Sequence, residues 1–246
     1  MRRLIVSDIH SNLEALEAVL SQAQGDYDEV ICCGDVVGYC ASPAEVIDWA
    51  RESVTAIVRG NHDIACCGGG GLRDFNPPAR AAAMWTYEQL SERDRDWLRR
   101  MPEGPRRFDS YEIAHGSPED ENEYLVSTAD VEWLDRTAMR RLCFVGHTHR
   151  QGGWSWQRGG IQGVPVPNPR EHERVVDLDP DYQYLINPGS VGQPRDGDPR
   201  AGYALWDSKA NLLSLRRVKY DVRSAQMRIV DAGLPQHLAD RLAVGH

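Results

Sequence analysis

Five short polar segments, each placed directly after an apolar run, constrain the fold of this chain most strongly. The apolar runs are strand-like and lie at 4–6, 30–33, 55–58, 111–113 and 142–145. Buried strands that end at Gly, Asp, Asn or His bring polar atoms to one edge of a sheet, so we expect the five segments to converge. The segments are Ser7-Asp8-Ile9-His10, Gly34-Asp35, Gly60-Asn61-His62-Asp63, Ala114-His115-Gly116 and Gly146-His147-Thr148-His149.

The side chains in these segments predict a metal site. Asp, His and Asn are hard or borderline ligands, and they suit divalent transition ions. Asp8 and His10 are two residues apart, so on an extended strand their side chains would point the same way. A centre with two such ions is a known means of hydrolysing a phosphate ester.

The order of these motifs resembles a known protein family. Asp-x-His, Gly-Asp, Gly-Asn-His-Asp, a lone His and Gly-His-Thr-His follow one another between Asp8 and His149. This series resembles the calcineurin-like metallophosphoesterase superfamily, and in particular its small, cap-less prokaryotic phosphodiesterases. The resemblance continues more weakly through 187–192 and 231–235, and it therefore covers nearly the whole chain. It implies a four-layer αββα sandwich with two facing mixed β-sheets and a metal site at the strand ends.

The same resemblance implies a role for each matched residue. Two divalent ions about 4 Å apart would share one carboxylate and hold a bridging water or hydroxide. These ligand types do not distinguish among Mn, Fe, Co, Ni and Zn, so the identity of the two ions stays open. The first ion would be held by Asp8, His10 and His149, the second by Asn61, His115 and His147, and both by Asp35. His62 would act as general acid or electrostatic stabiliser at the leaving oxygen, and Asp63 would hydrogen-bond its imidazole.

The chain order itself also favours a layered α/β fold. Strands at 3–7, 29–33 and 54–59 alternate with helices that begin near Asn12 and at Ser42-Pro43, which indicates parallel pairing. Residues 77–100 are typical of two helices, divided near Ser91. Further strands are predicted at 142–145, 151–156, 182–187, 202–206 and 212–219, with helices near 128–138 and from Val222. Strand clusters from both halves indicate two facing sheets in a single domain, residues 1–246.

Several features outside the motifs have competing interpretations. Residues 157–181, rich in Gly, Pro and charge, are expected to form a long surface excursion, and 68–71 a mobile loop. Cys66 and Cys67 are either ordinary loop residues or reactive thiols. The remaining alternatives concern Trp154 and Trp156 (packing or base stacking), Asn12 (helix cap or substrate contact), Arg59 (phosphate clamp or ion pair) and Arg195 (solvated turn charge or phosphate clamp).

Charge and composition limit the partners. The net charge of −9 argues against the broad basic face that duplex nucleic acid requires, so we expect a small phosphate-ester substrate and no duplex nucleic acid. No apolar run approaches the length that a bilayer needs, and Met1 leads directly into a strand, so no membrane association is expected. The six cysteines form no Cys-x-x-Cys pair, which favours a cytoplasmic protein.

The residues thus predict a binuclear-metal phosphodiesterase or phosphatase. The alternatives are a non-catalytic scaffold of the same fold, a dinucleoside polyphosphate hydrolase and a single-strand nuclease. Gly34-Asp35 continues with Val36 and Val37 and lacks the Arg found in serine/threonine phosphatases and symmetric dinucleoside tetraphosphatases, which weakens both of those interpretations. The presence of His62 argues against a scaffold.

Overall fold

The computed structural model describes residues 1–135, 138–158 and 160–246. In this part of the chain, twelve strands form two six-stranded sheets with the orders β3-β2-β1-β11-β12-β9 and β4-β5-β6-β10-β7-β8. The strands are β1 (Arg2–Val6), β2 (Glu29–Cys32), β3 (Val54–Ile57), β4 (Arg106–Arg107), β5 (Glu112–Ile113), β6 (Leu142–Phe144), β7 (Gly152–Gln157), β8 (Gly160–Gly163), β9 (Glu173–Asp177), β10 (Gln183–Asn187), β11 (Ala201–Asp207) and β12 (Leu212–Val218).

Seven α-helices accompany these strands in the described residues. They are α1 (Leu13–Gln22), α2 (Pro43–Ser53), α3 (Asn61–Cys66), α4 (Pro77–Gln89), α5 (Glu92–Arg99), α6 (Val222–Asp231) and α7 (Gln236–Asp240). Two 3₁₀ helices cover Thr128–Asp135 and Arg241–Ala243. The predicted N-caps Asn12 and Ser91 are confirmed, because the Asn12 side chain accepts from the Ala15 amide and that of Ser91 from the Asp94 amide.

The first sheet begins with the predicted parallel unit. β1 pairs with β2 and β2 with β3, both in parallel, and α1 and α2 form the crossovers. Leu4 and Val6 pack against Leu16 of α1 and Ile47 of α2 on the outer face of this sheet. The other half of the sheet is antiparallel, because β11 pairs with β1, β12 with β11 and β9 with β12.

The two sheets face each other across a continuous apolar layer. Ile5 and Ile31 of the first sheet share one buried cluster with Phe144 and Ile186 of the second. On the outer face of the second sheet, Leu134 of the first 3₁₀ helix packs in a cluster with buried residues of β6, β7 and β10. The predicted sandwich is therefore confirmed, and the thinner outer layer is a 3₁₀ helix. Residues 136 and 137 of the helix predicted near 128–138 lie outside the described residues.

The prediction of a surface excursion at 157–181 is wrong. This stretch contributes two edge strands, β8 beside β7 and β9 beside β12. An edge strand has one neighbour and one exposed side, so its sequence lacks the continuous apolar character of a central strand. Val175 of β9, for example, is 51% exposed.

The buried sulfur and indole groups have structural roles. Trp156 is buried and packs with Leu185, which agrees with the packing interpretation. Cys66 and Cys67 lie at the end of α3, and burial raises the pKa of both thiols, so neither favours the reactive thiolate. Among the described helices, none combines the length and apolar character that crossing a membrane would require.

Candidate metal centre

Six of the seven predicted ligands lie in loops that directly follow strands, where the ends of both sheets meet, and the seventh, Asn61, begins α3. In the described residues, eight non-glycine residues have a positive φ, between 50° and 66°. Seven of them lie in these loops: Asp8, His10, Ser11, Asp35, Tyr39, His147 and His149. Residues other than glycine seldom adopt this left-handed backbone conformation. Several such residues in one place are typical of a functional site. The expectation that Asp8 and His10 project from an extended strand is wrong, since β1 ends at Val6.

One group of ligands surrounds the Nε2 atoms of two histidines. Asp8, His10, Asp35 and His149 are all buried, and their ligand atoms lie within 4.8 Å of one another. His10 Nε2 is 3.0 Å from His149 Nε2 and 3.5 Å from Asp35 Oδ2. His149 Nε2 is 3.4 Å from Asp8 Oδ1. Four donor atoms at these separations are suited to one divalent ion.

A second group shares Asp35 with the first. His115 Nε2 lies 3.3 Å from Asp35 Oδ2, 3.1 Å from His147 Nδ1 and 3.3 Å from Asn61 Oδ1. The structure thus brings together all seven predicted ligands. Asp35 Oδ2 is buried, has no hydrogen-bond partner among the described residues and stands within 3.5 Å of a histidine from each group.

Main-chain carbonyl groups fix the orientation of the four imidazoles. Nδ1 of His10, His115 and His149 contacts the carbonyl oxygens of Val37, Cys33 and Gln193, at 3.0, 2.8 and 2.7 Å. His147 is reversed: its Nε2 contacts the Asn122 carbonyl oxygen at 3.2 Å. A carbonyl only accepts, so each of these nitrogens carries a proton, and in the neutral form of each ring the other nitrogen turns a lone pair towards the cluster.

This arrangement requires a positive charge between the rings. Two lone pairs 3.0 Å apart, as at His10 and His149, repel each other unless a proton or a metal ion lies between them. Asp8 Oδ2 is a further buried oxygen without a hydrogen-bond partner among the described residues. Unpaired buried acceptors are costly, and metal ligation satisfies them. The donor set therefore fits divalent cations.

Burial and the charges within the cluster shift the pKa values of its side chains in the metal-free protein. Burial would lower the pKa of His115, but the carboxylates of Asp35 and Asp8 outweigh it and raise that pKa to about 10. Burial would raise the pKa of Asp35, yet His115 and His62 hold it well below its usual range. Burial also raises the pKa of Asp8 to about 7. Near neutral pH His115 therefore carries a proton that metal binding would displace.

Asp63 has a different role from the predicted one. Its Oδ2 accepts from the amides of Asp35 and Gly60, both at 2.9 Å, and its Oδ1 accepts from those of Val36 at 2.9 Å and Val37 at 3.2 Å. The prediction that Asp63 hydrogen-bonds the His62 imidazole is therefore wrong. Burial and the nearby charge of Asp35 raise the pKa of Asp63 to about 7, although the amides favour its ionised form. Asp63 joins the Asp35 loop to the start of α3.

His62 lies beside the cluster and lines a cleft of about 460 Å³. Its ring centroid is 4.3 Å from that of Tyr39 and 4.4 Å from that of Phe75, and its Nδ1 has no hydrogen-bond partner in the described residues. Burial lowers the pKa of His62 to about 4, so the ring is neutral near pH 7. Tyr124 also lines this cleft, and its ring centroid is 4.1 Å from that of His147.

The structure also decides the open alternatives for three residues. Asn12 caps α1, and its amide nitrogen donates to the Gly192 carbonyl oxygen. Arg59 forms an ion pair with Glu121 through two hydrogen bonds. Arg195 is half-buried, and its guanidinium donates to the Tyr39 hydroxyl at 3.2 Å, so the expectation of a solvated turn charge is wrong.

One important residue was not among the predicted site residues. Asn187 is buried, and its amide nitrogen donates to the Gly146 carbonyl oxygen at 2.7 Å and to the Thr148 hydroxyl at 3.0 Å. The side-chain oxygen of Asn187, Oδ1, accepts from the Gly189 amide at 2.8 Å. Asn187 thus holds the loop that carries His147 and His149. The signal for it was the polar Asn187-Pro188-Gly189 turn after a strand, the same kind of signal that marked the five predicted segments.

Comparison with known proteins agrees with this geometry. A family model described as the calcineurin-like phosphoesterase superfamily domain matches residues 1–211. The chain belongs to this superfamily. This confirms the resemblance inferred from the sequence, and the cluster gives this superfamily member a His/Asp site suited to divalent metal.

Individual relatives cover the whole of this calcineurin-like chain. An uncharacterized protein of Methanocaldococcus jannaschii is 35% identical over 253 residues, which cover 98% of this chain and 97% of that protein. The crystal structure of a metallophosphoesterase from Sphaerobacter thermophilus matches with a TM-score of 0.87 and 38% identity, over 100% of both chains. A hypothetical protein from Pyrococcus horikoshii, with a TM-score of 0.74 and 18% identity over 100% of this chain and 98% of that one, shares the fold.

Proposed function

We propose that this chain is a binuclear metal-dependent phosphoesterase that hydrolyses a small phosphate ester. The observation that carries the proposal is the position of Asp35. Its buried Oδ2 has no hydrogen-bond partner in the described residues and lies 3.5 Å from His10 Nε2 and 3.3 Å from His115 Nε2. A carboxylate with one neighbouring histidine from each of two ligand groups could serve both groups, and this supports a binuclear centre.

Seven side chains would bind the two metal ions. Asp8, His10, Asp35 and His149 would hold one ion, and Asn61, His115 and His147, again with Asp35, the other. When bound, two divalent ions supply a water acidified towards neutral pH and neutralise the charge on the phosphate oxygens. The main-chain carbonyl groups behind the four imidazoles keep the lone pairs directed inwards.

His62 faces the substrate side of the site. Because burial keeps its ring neutral near pH 7, it serves the leaving oxygen as a neutral hydrogen-bond donor rather than as a protonated general acid. The tilted ring contacts with Tyr39 and Phe75 hold the His62 ring in place. The cleft of about 460 Å³ has room for a small ester and favours such a substrate over duplex nucleic acid.

Metal stoichiometry tests the binuclear centre. After reconstitution with Mn²⁺, Co²⁺, Ni²⁺ or Fe²⁺, elemental analysis is expected to find two ions per chain, and His115→Ala is expected to lose one of them. Asp35→Asn should weaken the binding of both. A single ion in the unaltered protein, with or without turnover, would contradict the binuclear proposal.

His62→Ala tests the catalytic proposal and the scaffold alternative together. We expect turnover of bis(p-nitrophenyl) phosphate or a cyclic nucleotide to fall at least about 100-fold, with metal content unchanged, because one preorganised donor is lost. His172→Ala removes an exposed histidine and serves as the matched control. No turnover by the metal-loaded protein with a panel of phosphate esters would favour the scaffold.

A further inference from the structure

Arg195 is an arginine beside the metal centre whose guanidinium hydrogen bonds go to neutral oxygens. Its Nη2 donates to Gln193 Oε1 at 2.9 Å and to the Tyr39 hydroxyl at 3.2 Å, and its Nε lies 3.3 Å from Gln193 Oε1. The guanidinium carbon is 5.5 Å from the centre of the Tyr39 ring. The adjacent Asp196 is paired with Arg217 instead.

The position of Arg195 is fixed relative to the ligands. Its main-chain amide donates to the His149 carbonyl oxygen at 3.1 Å, and the Gln193 carbonyl oxygen contacts Nδ1 of the same histidine at 2.7 Å. The segment that orients a predicted ligand therefore also places this guanidinium.

The cleft has the opposite charge elsewhere on its wall. Asp74 and Glu121 line it together with Tyr39, and Glu121 forms an ion pair with Arg59. Arg195 adjoins the cleft through Tyr39, which lines the cleft and whose hydroxyl accepts from the guanidinium. An anionic group on the substrate would be repelled by Asp74 and attracted by Arg195. The Tyr39 ring contacts both His62 and Arg195, so the guanidinium lies one aromatic ring away from the group that we assign to the leaving oxygen.

From this arrangement we infer that Arg195 binds an oxyanion carried by the leaving group of the substrate. The chain then prefers phosphate esters whose leaving group bears a carboxylate or a second phosphate. The inference rests on the proposed function, because a leaving group exists only if an ester is cleaved. Arg195 acts as a specificity-determining residue and takes no part in proton transfer.

A pair of aryl esters that differ by one charge tests this inference. The substrates are 4-carboxyphenyl phosphate and its neutral methyl ester, 4-(methoxycarbonyl)phenyl phosphate. We expect Arg195→Gln to lower kcat/KM about 10- to 100-fold more for the carboxylate than for the methyl ester, the range of one lost charge-assisted hydrogen bond. Taking each ratio of variant to wild type cancels the different acidity of the two phenols.

Two further variants separate binding from structure. Arg195→Lys keeps the charge without the planar fork and should recover part of the preference, mainly through KM. Arg93→Gln removes an arginine of α5 that lines a different surface and should leave the ratio between the two substrates unchanged. Metal content is measured for each variant, because Arg195 is joined to the His149 loop.

The possible results decide between the two proposals. If Arg195→Gln lowers kcat/KM equally for both substrates, or for neither, the role of Arg195 is overturned and the phosphoesterase proposal still stands. If wild type cleaves neither substrate nor any other ester, the proposed function fails. Calorimetric binding of the two corresponding phosphonates to the metal-loaded protein then still measures the charge preference, and equal affinities for Arg195→Gln and wild type would overturn it.

Discussion

Asn187→Ala should weaken both the fold and the metal centre, since one side chain supports the loop that carries His147 and His149. The substitution removes three buried hydrogen bonds, to the Gly146 carbonyl oxygen, the Thr148 hydroxyl and the Gly189 amide. The hydroxyl can rotate to another partner, but the carbonyl and the amide have lost theirs. Each unsatisfied buried main-chain group costs about 1–3 kcal/mol, so the free energy of unfolding should fall by about 2–6 kcal/mol.

Urea unfolding of the metal-free protein measures this loss without a contribution from bound cations. A loss of about 4 kcal/mol corresponds to a fall in Tm of roughly 8–16 °C for a domain of this size. Metal affinity should fall about 10- to 100-fold, the usual effect of removing a group that orients ligands. Asn168→Ala is the matched control. The side chain of this exposed Asn accepts, within the described residues, only from the Arg170 amide, and its loss should cost well under 1 kcal/mol.

The two measurements together can refute the reasoning. A stability loss below about 1 kcal/mol would show that the buried carbonyl and amide find other partners, and that the hydrogen bonds were not the source of the effect. A large stability loss with unchanged metal affinity would show that the 146–149 loop keeps its conformation without Asn187. Either result removes Asn187 from the support of the site.

Two other properties can be tested independently. Because the pKa of His115 is raised to about 10 in the metal-free protein, metal binding should release its proton, so affinity should rise with pH between 7 and 9 and fall as pH decreases. Titration calorimetry in buffers of different ionisation enthalpy measures that proton, and a buffer-independent heat would contradict the assignment. Gly192→Ala should lower the Tm by roughly 5 °C or more, because a Cβ there would lie 1.9 Å from the Ile9 carbonyl oxygen. Gly160→Ala, whose Cβ would meet nothing within 4 Å, should change the Tm by no more than about 1–2 °C.

The sequence indicated the parallel core and the ligand set for a physical reason. A central strand such as β2 is buried on both faces and is therefore apolar from Val30 to Cys32, and the Gly34-Asp35 that follows marks the strand end. Edge strands carry no such signal, which explains the error at β8 and β9. The helix α3 was also missed, because its short span begins inside the motif with Asn61 and His62 and shows no apolar periodicity.

The roles of individual polar groups were harder to predict than their positions. Asp63 stands next to His62 in the sequence, and the family resemblance implied that the two side chains interact. In α3, neighbouring residues point about 100° apart, so Asp63 turns back to the amides of Gly60 and the Asp35 loop while His62 faces the cleft. The sequence contains the residues of such a network, but only the fold determines which of them meet.

Main-chain pairing supports the left-handed backbone of the ligand loops. Beyond the end of β1, the amides of Asp8, His10 and Ser11 still donate to the carbonyl oxygens of Gly34, Asp35 and Val36, each at 3.0 Å. These bonds continue the β1–β2 pairing into the loops and offset the cost of the positive φ values, which is of order 1–3 kcal/mol each. The strain is thus compensated by hydrogen bonds between the two segments that carry Asp8, His10 and Asp35. The same hydrogen bonds fix the relative positions of these three side chains, which come from different strands of the parallel unit.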